Sequence, residues 1–209
     1  MPPQRKASRF LAMALSTAIG ASTMIPALSA AAAPEPPFEL RFPQETQVTV
    51  FSSSFGAGRS GGRSHTGNDL MAPKMTQVYA AADGVITVVG TSRLAGRYIE
   101  IDHGGGWTTR YIHLNNDDPG SDNGDADWAL TVVPGLFEGT GVTAGQHIAW
   151  VGDSGNAEWT GSHTHFEIVH EGREIDPYPY LRDAFARDDG RQADEVWRAE
   201  QPNGHSVVS

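Results

Sequence analysis

Three short stretches of this chain hold side chains able to bind a metal or move a proton: His65-Thr66-Gly67-Asn68-Asp69, Tyr111-Ile112-His113-Leu114 and His163-Thr164-His165. In an extended strand residues i and i+2 point to one face, so His163 and His165 present both imidazoles together while Thr164 and Phe166 face the other way. Such a pair serves as a bidentate ligand or as a ligand beside a base. The i, i+4 spacing puts His65 and Asp69 on one side of an extended segment, adding nitrogen and oxygen donors for a single ion. The chain has no Cys, which removes thiolate metal sites, cysteine nucleophiles, disulfides and a lipid-bearing cysteine anchor. Any metal must then be held by His and carboxylates. The other histidines, His103 in a Gly-rich turn, His147, His170 and His205, read as exposed or simply hydrogen-bonded.

The elements that position these residues read as strands. With 24 Gly and 13 Pro in 209 residues and 19% charged side chains, the composition excludes a coiled coil and full disorder and makes an all-helical fold implausible. Short β-branched and aromatic runs, separated by Gly or Asp-Gly, cover residues 47–52, 77–81, 84–91, 98–102, 108–113, 147–151 and 163–170. Turn chemistry predicts two antiparallel hairpins, one through Asp102-His103-Gly104-Gly105-Gly106 and one through Glu171-Gly172. A short helix such as 180–187 is expected after the last strand.

One segment breaks the pattern. From Asn115 to Gly141 the chain carries six carboxylates and no Lys or Arg, with Trp128, Leu136 and Phe137 among them. Because it starts one residue after Leu114, it is expected to form one wall of a cleft beside His113. There it would raise the negative potential and favour amine-bearing or cationic peptides. Trp128 and Phe137 would pack the loop or meet the substrate. Asp122 to Asp127 is faintly calcium-like but lacks EF-hand register, and a solvated acidic loop is the expectation.

At the N-terminus Arg5, Lys6 and Arg9 precede an uncharged run from Phe10 to about Leu28 and then Ser29-Ala30-Ala31-Ala32-Ala33, the layout of a secretory signal peptide. Gly20, Pro26 and the Ser/Thr content make the run a poor membrane span. The expected organisation is a signal peptide over 1–33, an extended linker or edge segment over 34–46, one catalytic-type domain over 47–181 and a polar tail over 182–209. The predicted location is secreted or cell envelope. The formal charge of −10, which grows once the three basic signal residues are removed, disfavours nucleic acid and anionic lipid as partners. No membrane association is expected after signal cleavage, and the mature protein reads as a monomer.

In order along residues 52–181, His65-Thr66-Gly67-Asn68-Asp69 with Ala72-Pro73, Val78 to Gly84, Asp102-His103-Gly104, Tyr111-Ile112-His113-Leu114, Ala144-Gly145-Gln146, Val151 to Gly155 and His163 to Glu167 resemble the lysostaphin/LytM family of zinc peptidoglycan endopeptidases. The resemblance implies an all-β, mainly antiparallel fold: a small two-layer β-sheet metallopeptidase domain of the duplicated hybrid motif type. Here it would carry a long acidic loop insertion and a short C-terminal helix. It implies zinc held by His65, Asp69 and His165, with His113 and His163 as catalytic histidines. The chain departs from the family in spelling the pair His-Thr-His, where Leu is commoner between the two. It also carries Arg59 where some relatives have a substrate-facing Tyr. Arg59 is a candidate partner for a substrate carboxylate, and Glu167, on the face of His163 and His165, is a candidate orienter of a ligand imidazole.

Three protein ligands leave a fourth position for water, whose pKa zinc lowers to about 7. His113 or His163 can take the water's proton and the other can face the developing oxyanion; spacing leaves open which does which. The expected function is an exported zinc metalloendopeptidase that hydrolyses cross-links or stem peptides of bacterial peptidoglycan. The competing class is a non-catalytic domain of the same fold that binds peptidoglycan or activates another hydrolase. All five expected positions are filled, which favours the enzyme.

Overall fold

The computed structural model describes residues 34–200, and of residues 190–200 the backbone only. The signal-peptide reading, His205 and residues 201–209 lie outside the described residues. Among the described residues, eleven strands and one α-helix follow in the order β1 (Gly58–Arg59), β2 (Arg63–Ser64), β3 (Asn68–Met71), β4 (Gln77–Tyr79), β5 (Gly84–Ser92), β6 (Gly96–Gly104), β7 (Trp107–Leu114), β8 (Gly141–Val142), β9 (His147–Trp150), β10 (His163–His170), β11 (Arg173–Ile175) and α1 (Tyr178–Glu200). The strands form a mainly antiparallel, two-layer β fold. A seven-stranded sheet runs β11-β10-β7-β6-β5-β8, with β3 also on β10, and β4-β9 makes a separate pair.

Both expected hairpins form. Gly104, Gly105 and Gly106, all at positive φ, turn β6 into β7, and Glu171-Gly172 at φ 49 and 75 turn β10 into β11. These left-handed positions are where Gly is favoured and where a two-residue loop matches strand twist. Strand β10 is the hub. It pairs with β7 along one edge over residues 165–170, and with β3 over 163–166 and β11 over 168–170 along the other. Buried on both faces, it reads as an unbroken run from His163 to Val169, as a central strand must. Its apolar side chains Phe166 and Ile168 join Leu70, Ile86, Ile99, Ile101, Tyr111, Leu114 and Ile148 in the core.

Three expectations change. Residues 47–52 form a short 3-10 turn and a single bridge, Val50 to Met71, instead of a strand; Val48 and Val50 stay exposed, so alternation there marks no buried face. The segment over 34–46 is extended but is no free linker. Leu40, Phe42 and Gln44 are buried, Arg41 N donates to Ala81 O, and Tyr79 N donates to Pro43 O. Helix α1 begins at Tyr178, capped by Asp176 Oδ1 accepting from Tyr178 N at 3.0 Å, and continues to Glu200. It therefore takes up most of the expected polar tail, because after Pro179 no residue to Glu200 is Pro and good helix formers dominate. Leu181, Ala184 and Asp188, at helical spacing, turn inward, and Asp188 Oδ2 accepts from Phe42 N at 2.6 Å, tying the helix to the N-terminal segment.

Candidate metal centre

The i, i+2 rule places His163, His165 and Glu167 on one face of β10, opposite Thr164 and Phe166. In the β10–β3 ladder His165 sits across from Asp69, which brings the carboxylate to the ring from a strand almost a hundred residues earlier. His65 lies just before β3, its backbone held by His65 N donating to Ala57 O and Gly56 N donating to His65 O. Between them, Gly67 passes so close to β10 that an added Cβ would meet Phe166 O at 2.3 Å, His165 Nε2 at 2.8 Å and Glu167 Cγ at 2.9 Å. Only a residue without a side chain fits there. His113 reaches the same spot from the end of β7 because its backbone turns left-handed, at φ 64.

Three ligand-type atoms converge. His65 Nε2, Asp69 Oδ1 and His165 Nδ1 lie 2.9 Å from one another. The second nitrogen of each ring is committed: His65 Nδ1 donates to Ser54 O at 2.9 Å, and His165 Nε2 donates to Glu167 Oε1 at 3.0 Å. A neutral imidazole carries one N–H, so the nitrogens turned to Asp69 present lone pairs to a carboxylate oxygen. Three acceptors facing each other repel unless a cation lies among them. A tetrahedral ion with bonds of about 2.0–2.1 Å would hold its ligands roughly 3.3 Å apart, within a few tenths of the observed spacing. Two imidazoles and a carboxylate suit zinc better than calcium or magnesium.

Glu167 orients His165, as its strand face implied. It also accepts from Thr66 Oγ1, and its Oε2 accepts from Arg110 Nη1 at 3.1 Å. Burial acts to raise its carboxyl, but hydrogen bonds from His165, Thr66 and Arg110 outweigh it and lower the group to about 2. Likewise burial opposes ionisation of Asp69, yet its close pairing with His165 and His65, where a proton among the three atoms takes the cation's place in the metal-free protein, holds it far below the usual carboxylate range. His165 is raised because Asp69 and Glu167 more than offset its burial.

The remaining two histidines stand beside this trio without belonging to it. His113 Nδ1 donates to Ser154 O at 2.8 Å and His163 Nδ1 to Gly161 O at 2.7 Å, leaving each Nε2 as an acceptor. Their ring centroids are 5.1 Å apart. Burial, joined by the charge of His163, pushes His113 down to about 4, and burial also lowers His163. Both rings are therefore neutral near pH 7, and either can accept a proton.

These groups line a cleft of about 450 Å³. One wall is the hairpin of β1 and β2, bearing Arg59 and Arg63; the other includes Ala157, Thr160 and Gly161. Arg59 Nη2 contacts Asp69 Oδ2 at 2.5 Å, so it pairs with the oxygen of Asp69 that faces away from the two histidines. Among the described residues, none of 115–141 lines the cleft, which corrects the expectation that the acidic insertion forms its wall. Its missing cations come from elsewhere in the sequence. Lys74 Nζ lies 2.6 Å from Asp117 and from Asp122 and 2.9 Å from Asp153. Arg97 binds Thr131 Oγ1 and Ala126 O and lies over the Trp128 ring. Trp128 thus packs the loop, while Phe137 remains exposed.

Sequence reasoning missed Ser54, Thr66, Gly67, Arg110 and Ser154 as supporting residues. Thr66 and Gly67 carried a signal by lying inside the His65–Asp69 motif and Ser154 by lying inside the Val151–Gly155 motif, while Ser54 and Arg110 carried none. It also passed over Trp159, 92% exposed on the loop that forms the second wall. His103 meets its plain expectation: its ring bonds to Asp83 O and Thr109 Oγ1.

Known proteins resemble the chain over a large part of its length. It is 32% identical over 111 residues to peptidoglycan DD-endopeptidase ShyA of Vibrio cholerae, covering 53% of this chain and 21% of ShyA. It is 29% identical over 182 residues to the murein hydrolase activator NlpD of Salmonella typhimurium, covering 87% of this chain and 41% of NlpD. The chain thus spans less than half the length of either relative. A crystal structure of a zinc-containing peptidase from Vibrio cholerae superposes with a TM-score of 0.54 at 27% identity, over 69% of this chain and 40% of that one. Residues 63–124, which contain His65, Asp69 and His113, match the profile of Peptidase family M23.

Proposed function

We propose that the protein is a zinc metalloendopeptidase of the lysostaphin/LytM kind that cleaves peptide bonds in bacterial peptidoglycan. The observation that carries the reading is the convergence of His65 Nε2, Asp69 Oδ1 and His165 Nδ1 at 2.9 Å, with two neutral histidines beside them in an open cleft. Zinc bound there supplies an acidified water and a Lewis acid for the scissile carbonyl. The protein's own groups do the rest. Glu167 and Ser54 O fix the two ligand rings in the tautomers that leave lone pairs toward the ion. His113 or His163 takes a proton at Nε2, and the resulting imidazolium then has an N–H for the oxyanion or the leaving amine. Ser154 O and Gly161 O hold those rings in place and favour Nε2 as the reactive atom.

The match to NlpD keeps the activator reading in view, since its name describes a protein that activates a hydrolase. A non-catalytic role leaves no reason to retain two oriented, lone-pair-bearing histidines beside a metal-type trio. Export through residues 1–33 to the cell envelope, where peptidoglycan lies, is part of this proposal. The test is zinc analysis of the purified chain together with mass spectrometry of fragments released from purified peptidoglycan. Wild type should carry about one zinc and release peptides, and His165→Ala should lose both. Full zinc occupancy in His165→Ala under mild chelation, or no fragments from zinc-loaded wild type, refutes the reading.

A further inference from the structure

The hairpin over the cleft carries a charge arrangement that the proposed chemistry does not use. In the β1–β2 pair Arg59 lies directly across from Arg63, on strands of two residues each, and the tip turns through Gly61 and Gly62 at φ 73 and 74. Like charges directly opposite each other on paired strands are destabilising. The chain nonetheless places them together on an exposed hairpin, although its overall charge is −10. Arg59 reaches Asp69, but among the described residues Arg63 binds only Ser60, through Nε to the carbonyl at 3.2 Å and Nη2 to the hydroxyl at 3.4 Å. The cleft's own carboxylates do not answer it. Asp69 is turned to the histidines and Arg59, and Glu167 is buried against His165, Thr66 and Arg110. None of the acidic insertion lines the cleft, and besides Asp69 and Glu167 the charged side chains that do are Arg59 and Arg63.

We propose that Arg63, with Arg59, is a specificity element that binds a free carboxylate of the substrate peptide, so that the cleft selects anionic peptides over amidated or cationic ones. The inference rests on the peptidoglycan reading for its substrate class and reverses the charge preference expected from the acidic insertion. A guanidinium fork matches a carboxylate in two parallel hydrogen bonds, and a carboxylate between two arginines relieves their repulsion. Arg63 here is a binding residue and takes no part in bond cleavage.

The test uses the zinc-loaded full chain and two probes: dimeric muropeptides as released from peptidoglycan, and the same peptides with their carboxyls chemically converted to carboxamides. Binding is measured by calorimetry and kcat/KM by mass spectrometry. Wild type should favour the free acid by about threefold to tenfold, the range for a partly exposed charged hydrogen bond. That preference should shrink with added salt. In Arg63→Gln it should fall to near unity, and in Arg63→Glu it should invert, with zinc content unchanged. Absence of a preference in wild type, or its survival in Arg63→Gln, overturns the inference. Acid-selective binding that depends on Arg63 without any cleavage would uphold the inference and refute the endopeptidase reading, so the two fail separately.

Discussion

Gly67→Ala probes the metal centre without touching a ligand. The new Cβ would lie 2.3 Å from Phe166 O, 2.8 Å from His165 Nε2 and 2.9 Å from Glu167 Cγ. Ordinary contact between such atoms begins near 3.5 Å, so the stretch before β3 and strand β10 must part by about 1 Å. Phe166 O is backbone in a central strand and does not give way like the tip of a long side chain. Overpacking of this kind is expected to destabilise the metal-free protein by about 1–3 kcal/mol. The same displacement draws Thr66 away from Glu167, which orients His165, and Asp69 away from His165, and losing a ligand's orienting partner typically weakens metal binding by about 10–100-fold. Urea melts of the metal-free protein and zinc titration against a chromophoric chelator read the two effects. Gly58→Ala is the control, because nothing lies within 4 Å of its added Cβ and its φ is not positive. If Gly67→Ala melted and bound zinc like wild type, the close-approach argument would be wrong.

The two cleft histidines should separate from the ligands: His163→Ala, and His113→Asn, which tolerates the left-handed backbone at φ 64, should keep zinc while kcat falls by about 10²–10⁴. Unchanged turnover in either variant would remove that residue from the chemistry. Folded His113 protonates only near pH 4, against 6.5 for an unperturbed ring. Its depressed value therefore contributes stability that is complete above pH 6.5 and lost as the pH falls toward 4. Thermal melts of the metal-free protein across that window should show the decline, and His113→Asn should flatten it. Thr164 Oγ1 is buried with no hydrogen-bond partner in a strand otherwise packed in the core, so Thr164→Val should raise stability by about 1 kcal/mol. A lower denaturation midpoint for that variant would show that the hydroxyl is satisfied in solution.

What could be read from the sequence is what a single strand or turn decides by itself. His163, His165 and Glu167 share a face because side chains alternate along any extended backbone, and the glycines at 104–106 and 172 mark reversals because few other residues accept positive φ. The motif around His65 and the resemblance it carries likewise needed only neighbouring residues. Tertiary structure decided what depends on pairing between distant segments. The β3–β10 register brings Asp69 to His165, and a left-handed residue at the end of β7 turns His113 into the cleft. The destination of the acidic insertion was not legible either. Its counter-charge, Lys74, lies 43 residues before Asp117, and a run of carboxylates follows the nearest cations that packing supplies, not its own place in the chain. Residues 34–46 were ambiguous for the same reason: Pro-rich extended chain looks alike whether solvated or docked, and only the hydrogen bonds to Ala81 O and Asp188 and the burial of Phe42 distinguish the two.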